Sequence, residues 1–197
     1  AWHNYHSIST FSSTSNGAME EFFGELGFEH SFNAYKYNGA TLVTESLFSV
    51  KYAISNRILT ESPLRSYYTG SDGEFIYKNN YTLPIGFMTY NDPYGWEADS
   101  ANDAGIENQN SLIKNLTGIS NVFTLTYENA TDAGFEVKPV KAGHLYMIVR
   151  NTSCDTVTAT INSSEYTYKD LKKGGTIIDL GYATPDDIIA VSYTHLT

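Results

Sequence analysis

The side chains best suited to binding a transition metal lie at the start of the chain. His3 and His6 are three positions apart, beside Trp2 and Tyr5. On a helix this spacing would place two imidazole rings near each other, and imidazole is a common metal ligand. No carboxylate or third ligand follows at a recognisable interval, and residues near a terminus are commonly exposed. We therefore predict no metal site here.

A second group of candidate ligands is acidic. Asp99, Asp103 and Glu107 recur every four positions, with Glu97 close by. A calcium loop requires oxygen ligands at alternating positions and a glycine at its turn, and residues 99–105 meet that requirement only loosely. Negative charge also stabilises the first turn of a helix, which is the simpler explanation of the spacing. We expect a helix start here and no cofactor.

Side chains that could carry covalent or hydrolytic chemistry are present without the partners that such chemistry requires. Cys154 lies in a predicted turn between two strands, with no recognisable base. Glu20 with Glu21, and Asp186 with Asp187, are adjacent in sequence, whereas a glycosidase needs two carboxylates that face each other across a bond. The sequence also lacks a Gly-x-Ser-x-Gly elbow, a phosphate-binding glycine loop and a His-Glu-x-x-His motif. We predict no catalytic residue in this chain.

The composition argues against several classes of partner. The chain has 197 residues, of which 22 are acidic and 12 basic, giving a net charge of −10. Binding to nucleic acid or to anionic lipid headgroups requires a basic face, so we predict no nucleic-acid partner. The acidic excess is consistent with a segment on the outer side of a membrane, where basic residues are depleted.

The sequence contains no segment that predicts insertion into a membrane. No run of about 18 apolar residues is present, and no basic stretch followed by an apolar one resembles a signal peptide. The single cysteine, Cys154, excludes an intramolecular disulfide and a cysteine-rich zinc site. Secreted eukaryotic domains of this size usually carry paired cysteines, so the composition favours a bacterial surface protein.

Residues 1–118 are predicted to form a mixed α/β part. Asn16 can cap a helix that ends at Gly27. The apolar residues of this helix recur with helical spacing and are Met19, Phe22, Phe23 and Leu26. A second helical stretch, 43–48, leads into 50–55, which carries Val, Tyr and Ile and predicts a central strand.

Two further strands and a longer helix are predicted in the same part. The strands cover 74–78 and 83–90, and Pro84 marks an edge or an irregular point in the second. The helix covers 103–116 and ends at Thr117–Gly118. Three apolar residues can share one of its faces: Ile106, Ile113 and Leu116.

After residue 119 the apolar period changes from 3.6 to two. Alternating residues occur at 123–127 and 157–161, and more continuous apolar runs occur at 144–150 and 188–193. About five to seven short strands at this spacing predict an antiparallel β-sandwich, jelly-roll-like in pattern. The expected fold class is thus α+β, with a mixed α/β part at 1–118 and a β-sandwich part at 119–197. No linker separates the two parts, so the alternative interpretation is that the whole chain folds as one compact unit.

Eight of the chain's 16 tyrosines, together with one tryptophan, form an aromatic-rich stretch in its first half. They are Tyr35, Tyr37, Tyr67, Tyr68, Tyr77, Tyr81, Tyr90 and Tyr94, with Trp96. Flat rings with a polar edge suit sugar binding. They equally suit strand packing with the hydroxyl reaching solvent, and we favour that structural explanation.

Several phrases in the first 120 residues carry a family resemblance. They are NYHSISTFSST at 4–14, ELGF at 25–28, YKYNGAT at 35–41 and SLFSVKYAIS at 46–55, with weaker similarity at 83–88 and 109–118. Together, the phrase around Phe11, Ser12 and Ser13 and the phrase at 47–54 resemble the extracytoplasmic part of YfhO-type bacterial membrane proteins.

The resemblance implies a location and an activity for the whole protein. YfhO-type proteins are polytopic and are thought to act as lipid-linked sugar transferases on the outer face of the membrane. C-type glycosyltransferases hold their catalytic carboxylate in membrane-surface loops between early spans, and this chain contains no such loop. We therefore expect a chain at the extracytoplasmic face that is not catalytic alone and whose partner is the membrane-embedded part of the same protein.

The resemblance also singles out a candidate binding site. A hydroxyl-rich run at 7–14 includes Ser12 and Ser13, whose hydroxyls and amides would contact a sugar or phosphate at the lip of an active cavity. Lys51 and Tyr52 would face the same cavity. The alternative is that these hydroxyls only satisfy backbone groups in turns before the helix, and we favour that explanation slightly.

Two functions remain open at this point. The first is an acceptor-binding or structural cap on a transferase that moves sugar from a polyprenyl-phosphate carrier to an envelope glycan or teichoic acid. The charge of −10 opposes a polyphosphate acceptor unless Lys36, Lys51 and Arg57 offset it locally. The second is a non-catalytic carbohydrate-binding or adhesion module at the cell surface.

Overall fold

The computed structural model describes residues 7–55, 62–70, 73–101, 103–126, 134–150, 154–161, 163–169, 171 and 175–195. They form helices in the first part and antiparallel strands in several small sheets, which confirms the predicted α+β class with a sandwich-like second part. The helices are α1 (Gly17–Glu25), α2 (Leu42–Leu47) and α3 (Gly105–Thr117), with a 3₁₀ turn at Pro93–Gly95. The strands are β1 (Thr10–Phe11), β2 (His30–Ser31), β3 (Ala34–Tyr35), β4 (Tyr52–Ser55), β5 (Arg65–Thr69), β6 (Phe75–Asn79), β7 (Phe135–Val137), β8 (Gly143–Ile148), β9 (Cys154–Ile161), β10 (Ser164–Tyr168), β11 (Ile177–Ala183) and β12 (Ile189–His195).

Helix α1 begins and ends where its sequence predicts. The Asn16 side chain accepts a hydrogen bond at 3.0 Å from the amide two residues later, which caps the helix. Phe23 and Leu26 are buried, whereas Met19 is exposed and lies outside the buried face. Gly27 follows with a φ of 85°, a left-handed conformation that glycine adopts without steric cost.

Helices α1 and α3 and strand β11 meet at Gly27. A Cβ added at Gly105 would lie 2.7 Å from Gly27 Cα, and one added at Gly27 would lie 2.5 Å from Ile177 Cδ1. The Ile177 amide donates a hydrogen bond to the Gly27 carbonyl at 3.1 Å. Glycine at both positions therefore lets the three elements approach closely. This contact crosses residue 119, the predicted boundary between the two parts.

Two buried amide side chains attach α3 to the end of α1. Asn108 Nδ2 donates to the Glu25 carbonyl at 2.8 Å, and Gln109 Nε2 donates to the Leu26 carbonyl at 2.7 Å. The last carbonyls of a helix have no partner within the helix, so these amides satisfy groups that would otherwise be buried unpaired.

The buried face of α3 differs from the predicted one. Leu112 and Leu116 are buried beside the two amides, whereas Ile106 and Ile113 are only half-buried. The apolar pattern missed this face because half of it is polar and hydrogen-bonded. The end of the helix is as predicted, since Gly118 has a φ of 75° in the left-handed region.

The β4–β6–β5 sheet corrects two strand predictions. Strand β6 lies at its centre, so β4, predicted as a central strand, is an edge strand with Tyr52 and Ile54 exposed. The predicted strand at 83–90 is wrong, because the structure places these residues in an irregular, exposed stretch. Pro84 cannot donate to a ladder and Gly86 weakens a strand, which accounts for the difference.

The second part of the chain packs two antiparallel sheets face to face. One sheet has the order β10–β9–β12–β7, and the other pairs β11 with β8. Their inner faces share an aliphatic core that includes Val157, Ala159, Ile161, Ile178 and Leu180. The period-two pattern at 157–161 therefore predicted the buried face of β9 correctly.

Two other predictions in this part are wrong. Residues 121–126 form no strand, because the side chain of Asn110 on α3 bonds both backbone groups of Phe123, accepting at 2.9 Å and donating at 3.0 Å. Tyr127, which belonged to the same predicted strand, lies outside the described residues. Cys154 begins β9 and is buried, and therefore does not lie in a turn.

Candidate functional site

The predicted hydroxyl site lies in a turn between β1 and α1. The Ser12 amide donates to the Asn33 carbonyl at 3.0 Å, and Ser12 Oγ accepts from the Thr14 amide at 3.3 Å. Ser13 is exposed at the same turn. Ser12 thus organises the backbone of this turn, which is what the structural explanation of the run predicts.

The other two predicted site residues lie on the β4–β6–β5 sheet. The strand register places Tyr52, Lys78 and Ser66 in one row across the three strands. Lys51 Nζ lies 5.6 Å from the centre of the Tyr52 ring, which is a cation–π distance. The two side chains therefore form one small cationic and aromatic group at the edge of the sheet.

This group belongs to a larger outward-facing surface, which we call the tyrosine face. Side chains two positions apart on a strand lie on the same face of the sheet. The row of Tyr52, Lys78 and Ser66 therefore shares its face with the neighbouring row of Ile54, Ile76 and Tyr68. The tyrosine face consists of Tyr52, Ile54, Ser66, Tyr68, Ile76 and Lys78. Both tyrosines have more than half of their surface exposed, at 53% and 54%. Two flat rings and a lysine are thereby presented to solvent on a strand framework.

The structure joins the predicted residues in two separate pairs. Ser12 and Ser13 share one turn, and Lys51 and Tyr52 share one sheet edge. Among the described residues, no hydrogen bond or ring contact connects one pair with the other. A single cavity containing all four stays a prediction.

The opposite face of the same sheet carries a buried charged cluster that the sequence did not predict. Arg65 Nη2 lies 2.6 Å from Glu45 Oε1, and Arg65 Nη1 lies 3.0 Å from Asp179 Oδ2. His144 Nδ1 is 3.5 Å from Asp179 Oδ1, an ion-pair distance when the imidazole is protonated. Tyr37 donates a short hydrogen bond to Glu45. The four charged residues come from α2, β5, β8 and β11, and Tyr37 lies between β3 and α2. The cluster therefore joins the two parts of the chain.

Further hydrogen bonds hold the ends of the cluster. The Gly181 amide donates to Asp179 Oδ1 at 2.8 Å, and His144 Nε2 lies 2.8 Å from Ser62 Oγ. Tyr146 OH accepts from the backbone amide of residue 42 at 3.0 Å. The Arg65 and Glu45 side chains are 6% and 2% exposed, so water has almost no access to their ion pair. Such a pair remains favourable only with the additional hydrogen bonds that these groups provide.

Burial and neighbouring charges shift the pKa values in the cluster in opposite directions. Burial raises the pKa of Glu45, and the Arg65 charge and the Tyr37 hydrogen bond offset this only in part. Burial would also raise the pKa of Asp179, but the neighbouring His144 imidazole and the charge of Arg65 outweigh it and lower that pKa. Burial and the Glu45 charge raise the pKa of Tyr37. Asp179 is therefore the more firmly ionised of the two carboxylates.

The cluster is better suited to fixing positions than to reacting with a substrate. Both of its carboxylates are directed at Arg65, and the Glu45 side chain is 2% exposed and that of Asp179 17% exposed. A catalytic carboxylate must instead reach a bond of the substrate. No spacing in the sequence could have revealed it, since Arg65 is 114 positions from Asp179. The only local signal is the alternation along β5, which directs Arg65 inward and Tyr68 outward.

The acidic residues considered as calcium ligands do not converge. Asp103 Oδ2 pairs with Arg150 Nε at 2.7 Å, and Asp99 Oδ1 accepts from the amide two residues later. Glu107 lies in the first turn of α3, as the helix-start explanation predicts. Within the described ranges, no group of three or more His, Cys, Asp or Glu residues is placed to hold a metal ion. His3 and His6 lie outside those ranges.

One family model matches almost the whole chain. Its description is bacterial membrane protein YfhO, and it covers residues 1–196. The chain matches no curated protein and no solved structure. In the part of the chain that the structure describes, no helix is long and apolar enough to cross a membrane.

Proposed function

The chain belongs to the YfhO family of bacterial membrane proteins, and from this membership we propose that it is an extracytoplasmic part of a sugar transferase. The complete protein would move a sugar from a polyprenyl-phosphate carrier to a cell-envelope glycan or teichoic acid. The chemistry would take place in the membrane-embedded part of the same protein. The observation that carries this proposal is the family match over residues 1–196.

Within that protein, this chain would hold or cap the acceptor without catalysing the transfer. The enclosed carboxylates of the charged cluster support the non-catalytic part of the proposal, because they are directed at Arg65. The cluster also ties α2 and β5 to β8 and β11, which suits a rigid cap. The tyrosine face supports the binding part, because it presents two exposed rings on a fixed strand framework.

The distribution of charge favours an anionic acceptor at this face. The chain as a whole carries −10, which would repel a polyphosphate. Lys51 and Lys78 both adjoin Tyr52, one above its ring and one beside it in the sheet. A local pair of cations beside exposed rings can bind a sugar phosphate in spite of the global charge. Ser12 and Ser13 would form a second contact region at their turn.

The test is complementation of a deletion strain with the full-length protein carrying variants in this chain. We expect Tyr52→Ala with Lys51→Ala to reduce envelope glycosylation at normal protein levels, and Ser12→Ala with Ser13→Ala to reduce it too. Val140→Ala is the matched control, because this exposed apolar residue lies in a loop of the second part. Wild-type glycosylation in both double variants would restrict the chain to a structural role.

A separate assay addresses catalysis. We expect the purified 197-residue chain neither to transfer nor to hydrolyse a sugar. Activity of the chain alone would contradict the assignment of the chemistry to the membrane-embedded part. Glycan binding by the chain with no loss of glycosylation in the complementation strains would favour the alternative function, a non-catalytic carbohydrate-binding module, to which the same exposed rings are suited.

A further inference from the structure

The stretch between β6 and α3 exposes large apolar side chains. We call residues 83–94 the apolar segment. Ile85 and Met88 are 95% and 97% exposed, and Tyr90 and Tyr94 are 86% and 95% exposed. Single exposed apolar residues are ordinary, but several in one short segment mark a surface that contacts something else.

The apolar segment is attached to the rest of the molecule near both ends. The Leu83 amide donates to the Ser46 carbonyl at 3.1 Å, at the end of α2. The Tyr90 amide donates to the Leu116 carbonyl at 2.7 Å, at the end of α3. Two helix ends therefore hold the segment, and the exposure of Ile85 and Met88 is a feature of a positioned loop.

The backbone of the apolar segment indicates which kind of environment it can enter. Among the described residues, none of the amides of residues 85–88 makes a hydrogen bond within the chain. Burying these groups in a dry protein interface would be costly unless the partner bonded each of them. The headgroup region of a bilayer contains water and ester carbonyls, so it accepts apolar side chains while the backbone stays solvated.

Charge and residue type indicate the same environment. Between Tyr81 and Trp96 the only charged residue is Asp92, although the chain as a whole is strongly acidic. A segment with so little charge has no electrostatic preference for anionic lipids. Tyrosine and tryptophan are enriched at the level of the headgroups, where their rings and polar edges are both accommodated.

We infer that the apolar segment lies in the membrane surface, with Ile85 and Met88 inserted at the boundary between headgroups and acyl chains. This inference rests on membership of a membrane-protein family and does not depend on sugar transfer. The segment would orient the chain on the bilayer, and the tyrosine face would then have a fixed direction relative to the membrane.

The test is flotation of the purified 197-residue chain with vesicles of neutral phosphatidylcholine. We expect the wild-type chain to bind, and Ile85→Ser with Met88→Ser to weaken partitioning by about tenfold or more, because two large apolar side chains are lost from the interface. Phe32→Ser with Val140→Ser is the matched control, since both are exposed apolar residues elsewhere, and it should leave binding unchanged. Unchanged circular dichroism spectra would show that both variants are folded.

Three results would overturn the inference. One is failure of the wild-type chain to bind neutral vesicles. Another is binding only to anionic vesicles that disappears between about 0.1 and about 0.5 M salt, since that would indicate electrostatic adsorption. The third is concentration-dependent dimerisation, measured by sedimentation, that Ile85→Ser with Met88→Ser abolishes, because a second copy of the chain would then cover the segment.

Discussion

The two faces of the β4–β6–β5 sheet carry similar residue types in opposite environments. Arg65 and Tyr68 are three residues apart on β5, yet the arginine is enclosed by carboxylates and the tyrosine faces solvent. On the inner face every charge has a fixed partner, and two of those partners lie in the second part of the chain. On the outer face the Lys51 side chain contacts only the Tyr52 ring among the described residues.

This difference separates residues that hold the structure from residues that can bind a partner. A buried charge is costly to leave unpaired, so the inner face should respond strongly to substitution. An exposed ring contributes little to folding, so the outer face should respond weakly in stability and strongly in binding. The predictions below test this contrast, beginning with the largest expected effect.

Arg65→Met should cause the largest loss of stability. It leaves the carboxylates of Glu45 and Asp179 buried without their cation, and breaking a buried pair in this way costs about 3–5 kcal/mol. The free energy of unfolding from urea titration measures the effect. Arg150→Met is the control, because its pair with Asp103 is half exposed, and it should cost less than about 1 kcal/mol.

The coupling within the cluster can be measured with a combined variant. If Arg65→Met is joined with Glu45→Gln and Asp179→Asn, the uncompensated charges disappear and part of the lost stability should return. If the losses in the free energy of unfolding simply add, with no stability recovered, the cluster does not act as a unit. That result would contradict the contrast drawn between the two faces of the sheet.

Ile161→Ala tests whether the two parts of the chain unfold together. Ile161 is 1% exposed in the core of the sandwich, and its truncation should cost about 2–5 kcal/mol. Trp96 lies in the first part, so in a Trp2→Phe background its fluorescence reports on that part alone. Because the charged cluster and the Gly27 junction connect the parts, we expect the Trp96 transition to shift by the full amount. An unshifted Trp96 transition would show two independent units.

The stability of the chain should depend on pH with two opposing contributions from the cluster. Asp179 has a lowered pKa in the folded state, so the stability it provides is present above its unfolded pKa of about 3.9 and is lost as pH falls below that value. Glu45 has a raised pKa, so its protonation on acidification toward its unfolded pKa of about 4.3 increases stability.

Unfolding titrations at a series of pH values test these two contributions. The free energy of unfolding should first rise slightly on acidification and then fall. Glu45→Gln should remove the rise, and Asp179→Asn should reduce the fall. A monotonic profile that neither variant changes would contradict the assignment.

Local patterns predicted the elements that depend on local chemistry. The Asn16 cap, the end of α3 at Gly118 and the alternation at 157–161 follow from side-chain hydrogen bonding, left-handed glycine and strand geometry, all of which are encoded within a few residues. The edge position of β4 was missed because strand order depends on residues far away in sequence. The strand predicted at 83–90 was wrong for a local reason, since Pro84 and Gly86 disfavour a strand there.

The charged cluster could not have been predicted for a related reason. The fold brings Arg65 on β5 to Asp179 on β11 and places His144 on β8 beside it, and no motif spans such distances in sequence. The helix face of α3 was missed because Asn108 and Gln109 are buried polar residues whose partners are the carbonyls of another helix. Apolar periodicity identifies faces that are buried through apolar side chains. The contacts of the cluster and of this helix face are ion pairs and hydrogen bonds, which apolar periodicity does not detect.

Tyr68→Ala should have the smallest effect on stability of the substitutions proposed. A small effect would show that the outer face of the sheet is exposed to solvent in the folded chain. The ring is 54% exposed, and exposed substitutions on a sheet usually change the free energy of unfolding by no more than about 0.5 kcal/mol. Tyr77→Ala is the matched comparison, because Tyr77 lies on the inner face of the neighbouring strand and is 4% exposed, so its truncation should cost about 3–5 kcal/mol. Both values come from urea titration of the purified chain.

If the outer face also binds an acceptor, Tyr68→Ala should reduce envelope glycosylation in the full-length protein while leaving its abundance unchanged. Equal destabilisation by the two substitutions would show that the outer face is buried in the folded chain, and it would remove that surface as a candidate binding site.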